Sequence, residues 1–141
     1  MILVAGATGY AGSAVVRRLL SEGLEVAAMV RDAGAAGERL PPQVTLRVAD
    51  YEDISALRSA LAGADQMILI SSDGEARAVM RHHANIISAA TAASLRHITF
   101  TSVIDDAALR GEVRCPMLGT GFPALRIHFD VAEGSGKRVR A

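Results

Sequence analysis

Over the first hundred or so residues, short apolar runs alternate with longer stretches in which apolar residues recur every three or four positions. The runs are rich in β-branched and aliphatic residues and fall at Ile2 to Ala5, Glu25 to Val30, Val44 to Val48, Gln66 to Ile70 and His97 to Thr101. Each is near-continuously apolar, which is what a parallel strand buried on both faces requires. Between them, Ala11 to Ser21 puts Val15, Leu19 and Leu20 on one side and Arg17, Arg18 and Glu22 toward water. Ile54, Leu57 and Leu61 form a second helical stripe, and Val79, Ile86, Ile87 and Ala90 a third.

Strand, helix, strand repeated with short connections predicts an α/β fold, a doubly wound parallel sheet with helices on both faces. An eight-unit barrel would need about 250 residues, and the chain has 141. After Asp106 the alternation fades. Cys115 to Pro123 is punctuated by Gly and Pro, Ala124 to Phe129 is a candidate extra strand, and Gly134 to Ala141 reads as a flexible basic tail. The expected organisation is therefore a nucleotide-binding Rossmann-type domain over residues 1–106, followed by a divergent C-terminal segment, residues 107–141, with an incomplete C-terminal lobe.

Charge narrows the partners. Fifteen basic residues balance fifteen acidic ones, so no long-range field draws the chain to nucleic acid or to an anionic membrane. Neither is expected as a partner. The chain has no basic leader and no run of about 18 apolar residues, and its sole cysteine, Cys115, can form no internal disulfide. These features together predict a cytoplasmic protein.

The candidate chemistry lies in Gly6-Ala7-Thr8-Gly9-Tyr10-Ala11-Gly12, which follows the first strand and opens the first helix. Gly6 lets the chain turn off the strand, Gly9 removes a Cβ that would hold a phosphate away from the backbone, and Gly12 lets helix and sheet pack closely. Unpaired N–H groups at the helix start, reinforced by the helix dipole, then point at a dinucleotide pyrophosphate. At the end of the second strand stands Val30-Arg31-Asp32. A carboxylate there would accept from a ribose 2′-OH, whereas a guanidinium pairs with a 2′-phosphate. Arg31 thus predicts NADP rather than NAD, while a shift of one position, to Asp32, would favour NAD.

Other residues carry less. His82 and His83 are adjacent, point about 100° apart on a helix and cannot share a metal as an i, i+4 pair does. They read as structural or surface residues. Cys115 has no base beside it, Asp105-Asp106 reads as a solvated pair, and Lys137 to Arg140 is too short a basic run to argue for nucleic acid. No metal site and no catalytic side chain is expected.

With these residues in place, the chain resembles the NmrA-like branch of the atypical short-chain dehydrogenases, above all its NAD(P)H quinone oxidoreductases. The resemblance runs from Met1 to about Ile104. It is carried by the glycine loop, Val30-Arg31, Ala49-Asp50-Tyr51-Glu52-Asp53, Gly63-Ala64-Asp65 with the strand to Ser71-Ser72, His83-Ala84-Asn85-Ile86-Ile87, and Ile98-Thr99-Phe100-Thr101-Ser102. It implies that Asp50 and Tyr51 lie near the adenine. It also implies that Ser71 and Ser72 face the ribose or nicotinamide side and that Thr101 and Ser102 line the nicotinamide pocket. Read from residue type alone, Asp50 and Ser71-Ser72 are equally suited to cap helices.

Two departures matter. The Tyr-x-x-x-Lys dyad of standard short-chain dehydrogenases is absent, since neither Tyr10 nor Tyr51 is followed by such a lysine. It is absent from the quinone reductase branch too, where hydride passes directly from the nicotinamide. Family members are also considerably longer, and the segment after residue 106 looks like a truncated or frame-shifted remnant. The expected function is an NADPH-dependent oxidoreductase acting on a small molecule, with quinones the substrate class the resemblance points to. The alternatives are a redox-sensing regulator that binds NADP without turnover, and a degenerate remnant. An exposed sheet edge predicts a homo-oligomer.

Overall fold

The computed structural model describes residues 1–70, 75–102 and 126–131. Six strands form one sheet: β1 (Ile2–Ala5), β2 (Val26–Val30), β3 (Thr45–Val48), β4 (Gln66–Leu69), β5 (His97–Ser102) and β6 (Arg126–Val131). Four helices accompany them: α1 (Tyr10–Ser21), α2 (Ala33–Gly37), α3 (Ile54–Leu61) and α4 (Ala76–Ala92). The strand order is β3-β2-β1-β4-β5-β6, and every pairing is parallel. This is the order of a Rossmann-type doubly wound sheet, in which the chain reverses direction across the sheet between β1 and β4.

Period-two alternation along each strand divides the core into two layers. Leu3, Ala5, Ala27, Met29, Met67, Leu69 and Ile98 face one side, where Leu57 and Leu61 of α3 and Ile86, Ala89 and Ala90 of α4 cover them. Val4, Val26, Ala28 and Val30 face the other, against Val16 of α1 and Ala36 of α2. The expected architecture, with helices on both faces, is the observed one.

The candidate strand at Ala124 to Phe129 is present two residues later, as β6, paired with β5 in the register His97 to Arg126. Two details differ from the helical stripes read from sequence. The fully buried residues of α1 are Gly12 and Val16, and Val15, Leu19 and Leu20 only flank them. Val16 makes the contact with the sheet, while Gly12 is buried against the loop that precedes the helix. Ile54, the first residue of α3, is exposed, because the helix meets the sheet only from Leu57 onward. Among the described residues no helix is long and apolar enough to cross a membrane. The Cys115 to Pro123 segment, the basic tail and the Asp105-Asp106 pair lie outside the described residues.

Candidate functional site

Side chains converge at the carboxyl ends of β1, β2 and β3, where a doubly wound sheet holds its ligand. A cavity of about 640 Å³ opens there. Its floor is the glycine loop, and Gly6, Thr8, Gly9, Tyr10, Ala11 and Gly12 all line it. Ala7 is fully buried beneath and is not among the lining residues.

The three loop glycines do different work. Gly6 sits at φ +73°, and a Cβ there would stand 2.9 Å from the Ile70 carbonyl oxygen. A Cβ on Gly12 would overlap the Gly6 carbonyl oxygen and come within 2.8 Å of Ala7 Cα. The close approach at Gly12 is thus between helix and loop rather than between helix and sheet. Gly9 is unlike both: a Cβ there meets only the Gly6 oxygen, at 3.4 Å, and its backbone is extended. The fold does not need a glycine at position 9. An outside group that must touch the backbone does, and that vacancy ahead of the α1 N-terminus fits a pyrophosphate.

The far wall comes from the strand ends. Arg31, directly after β2, lines the cleft and forms no ion pair or hydrogen bond among the described residues. Asp32 is turned away from it. Its carboxylate accepts from Gly34 N–H at 2.8 Å and from Ala35 N–H at 3.4 Å, capping α2. The register that would have offered Asp32 to a ribose is therefore not the one adopted.

Asp50 lines the cleft as well, and its carboxylate receives the Glu52 N–H at 2.8 Å. It shapes the turn before α3 but is not that helix's cap. The cap is Asp53, which accepts from Ser55 and Ala56 N–H at 2.9 and 3.0 Å. Tyr51 is half-buried, with its hydroxyl toward Gly6. Burial pushes that hydroxyl above the usual phenol range, against the opposing pull of the Gly6 backbone and the Arg31 charge.

Three side chains of α4 hold this turn in place. Arg81 pairs with Glu52 through Nε at 3.0 Å and Nη2 at 2.8 Å, which keeps Glu52 below the usual carboxylate range. His82 Nε2 lies 3.0 Å from the same carboxylate, and its ring tilts against Tyr51 at 5.6 Å. Asn85 donates to the Tyr51 carbonyl at 2.9 Å.

Met29, Ala49, Glu52, Ile70 and His82 also line the cavity and were not foreseen from sequence. Met29, Ala49 and Ile70 carry the one available signal, since they sit at carboxyl ends of strands. Glu52 and His82 carry none, because their meeting is tertiary. The cavity does not reach Thr101, whose hydroxyl donates to the Leu69 carbonyl at 3.5 Å. Ser71 and Ser72 lie outside the described residues, as does the side chain of Ser102.

A family model described as NAD(P)H-binding matches residues 6–123. The chain belongs to the NAD(P)H-binding family. Its relatives include quinone oxidoreductase 2 of Escherichia coli, 37% identical over 106 residues, and an NAD(P)H azoreductase of Xenophilus azovorans, 36% identical over 104 residues. Each match covers 74% of this chain, but only 37% of the first relative and 36% of the second.

Among solved structures, the E. coli NADPH-dependent quinone oxidoreductase complexed with NADPH superposes with a TM-score of 0.68 at 38% identity, over 74% of this chain and 37% of that one. A Citrobacter triphenylmethane reductase complexed with NADP(H) gives 0.67 at 30% identity, over 72% and 37%. The resemblance to quinone oxidoreductases read from the motifs holds across the matched residues.

Proposed function

We propose that this chain holds NADP(H) along its glycine loop and serves as the nucleotide-binding part of an NADPH-dependent oxidoreductase that reduces small planar acceptors such as quinones. The observation that carries the reading is the division of labour after β2. Arg31 stands in the cleft without a partner among the described residues, while the neighbouring Asp32 turns its Oδ1 to the α2 cap and is not among the residues that line the cleft. A 2′-phosphate would find a guanidinium there, whereas the Asp32 carboxylate that could accept from a 2′-hydroxyl is held at the start of α2 and outside the cleft lining.

In this reading the backbone of residues 6–12 binds the pyrophosphate, Gly9 by its missing side chain and Ala7 by its amide. Asp50 and Tyr51 border the adenine end, and Ser71, Ser72, Thr101 and Ser102 belong to the nicotinamide side. The bound dinucleotide supplies the hydride; the protein's part is to fix its orientation and its charge environment. The names of the relatives support quinones and related electron acceptors as the substrate class.

Calorimetric titration with NADPH and NADH, followed by NADPH oxidation in the presence of a quinone panel, tests the reading in two stages. Preferential NADPH binding is expected. Equal, weak binding of both nucleotides would sink it, and tight NADPH binding without turnover by any quinone would remove the catalytic half.

A further inference from the structure

One oxygen of Glu52 gathers two side chains of α4 at the edge of the cleft. Oε1 accepts from Arg81 Nε at 3.0 Å and from Arg81 Nη2 at 2.8 Å, and it lies 3.0 Å from His82 Nε2. The contact of Oε2, with Arg81 Nε, is longer, at 3.2 Å. Glu52 and His82 line the cleft, and Arg81 is not among the lining residues. The arginine thus stands behind the carboxylate, and the imidazole stands in front.

Stability does not explain this arrangement. Glu52 and Arg81 are about half exposed, and ion pairs that water reaches add little. His82 is held at a cost. A carboxylate oxygen only accepts, so Nε2 carries the hydrogen, and Nδ1 is left buried with no hydrogen-bond partner among the described residues. A buried nitrogen without a partner destabilises the fold whichever protonation state the ring holds. Turned outward along α4, the same ring would have water at both nitrogens. What the inward placement provides is a surface. The His82 ring meets the Tyr51 ring with centroids 5.6 Å apart and planes at 54°, and both rings line the cleft.

We propose that Glu52 is a positioning residue that holds the His82 ring in the cleft wall, where His82 and Tyr51 form a corner that packs against the adenine of the dinucleotide; the proposal rests on the dinucleotide reading given above. A flat base lying on one ring of the corner meets the other at an angle, and stacked and edge-on contacts between aromatic rings are both favourable. Arg81 fixes Glu52 from behind. The orphaned Nδ1 is the cost of presenting the ring, and contact with the base offsets it.

The test uses NADPH, 5′-ADP and 5′-UDP, the last two differing only in the base. Each is titrated calorimetrically into the full chain and into His82→Ala, Glu52→Ala and Glu52→Gln. The wild type should prefer ADP to UDP, because a purine covers more of the corner than a single ring. His82→Ala and Glu52→Ala should bind ADP about 5- to 20-fold more weakly, in the lower part of the range for a base stacked on an aromatic side chain, and should lose most of the preference for ADP. Glu52→Gln retains an oxygen at the Oε1 position and should keep ADP affinity within about twofold of the wild type. The urea midpoint of His82→Ala should not fall, since removing the ring also removes the orphaned nitrogen.

Unchanged ADP affinity in His82→Ala and Glu52→Ala would overturn the proposal. So would an equal loss for ADP and UDP accompanied by a lower urea midpoint, which would make the cluster a strut for the turn. A loss in Glu52→Gln as large as in Glu52→Ala would show that the charge of Glu52 matters and its hold on His82 does not. A wild type that binds NADPH without distinguishing ADP from UDP would overturn the proposal and leave the dinucleotide reading intact. A wild type that does not bind NADPH would remove that reading, and this proposal with it.

Discussion

A methyl group on Gly12 would land on the carbonyl oxygen of Gly6. The obstacle is backbone, with no flexible side chain to swing aside, and Gly12 is buried against the turn that starts the cleft. Gly12→Ala should therefore cost about 3 kcal/mol or more, at or beyond the upper end of ordinary overpacking. Gly9→Ala has the opposite profile. Its Cβ meets only an oxygen at 3.4 Å, so the stability cost should stay near the ~1 kcal/mol of a poorer N-cap. Its NADPH affinity should nevertheless fall by at least about tenfold, roughly one lost hydrogen bond to a charged group, and Gly9→Val should abolish binding. Urea midpoints and calorimetric titrations on the same samples separate the two glycines. A Gly9→Ala protein that binds NADPH like the wild type would remove the phosphate-loop reading.

Arg31 and Asp32 should likewise separate. One charge-assisted pair is worth roughly 1.5–3 kcal/mol, or about 10- to 100-fold in affinity. Arg31→Ala should weaken NADP binding by about that factor and leave NAD binding nearly unchanged. Asp32→Ala should cost about 1 kcal/mol of stability through the lost α2 cap, with little change in the NADP-to-NAD ratio. If Asp32→Ala instead depresses NAD affinity selectively, the carboxylate is not spent on the cap in solution.

What could be read from the sequence follows from where each signal resides. The strands were legible because a strand buried on both faces must be apolar throughout, as Val26 to Val30 is. The turn of the glycine loop was legible because a positive φ at Gly6 and the close backbone approach at Gly12 both demand glycine. The short helix α2 was not, since Ala33–Gly37 has no apolar period and its one signal, the Asp32 cap, was read instead as a possible ribose ligand. The clasp of α4 on the turn after β3 was invisible for another reason. Glu52 meets Arg81 and His82 across 29 and 30 residues, and no local pattern encodes that distance. His82 accordingly read as incidental, although its ring forms part of the cleft wall.

His83 supplies a pH dependence. Its ring lies edge-on to Phe100, with centroids 4.9 Å apart. Burial, followed by the charge of His82, pulls its pKa below the ordinary 6.5. The folded state therefore resists a proton that the unfolded chain accepts. Above pH 6.5 both states are neutral at this residue and it contributes no slope. As the pH falls below 6.5, the unfolded state gains protons first and stability declines until the folded pKa is passed. Urea midpoints recorded from pH 7.5 down to about 5 should show this decline, and His83→Gln should flatten it. A slope identical in the variant would assign it to other groups.

The Asn85 hydrogen bond to the Tyr51 carbonyl makes the last prediction, because it holds the turn that the proposed reading puts at the adenine end of the cleft. The bond is 2.9 Å long and partly buried, and it joins α4 to the turn that carries Asp50 and Tyr51. Arg81 and His82 tie the same turn through Glu52, but those contacts are exposed, and exposed ion pairs contribute little. Removing the Asn85 carboxamide strands a carbonyl that water reaches poorly, a penalty of about 1–3 kcal/mol. Asn85→Ala should lower stability by about that amount, whereas Arg81→Ala should cost less than about 1 kcal/mol. If this turn borders the adenine, which NADP and NAD share, loosening it should weaken both to the same extent and leave their ratio intact. That is the reverse of the pattern expected for Arg31→Ala. Titration of Asn85→Ala with both dinucleotides, below its unfolding midpoint, decides the point. A selective loss of NADP would mean that α4 acts on the 2′-phosphate side, and the placement of Asp50 and Tyr51 at the adenine would have to be given up.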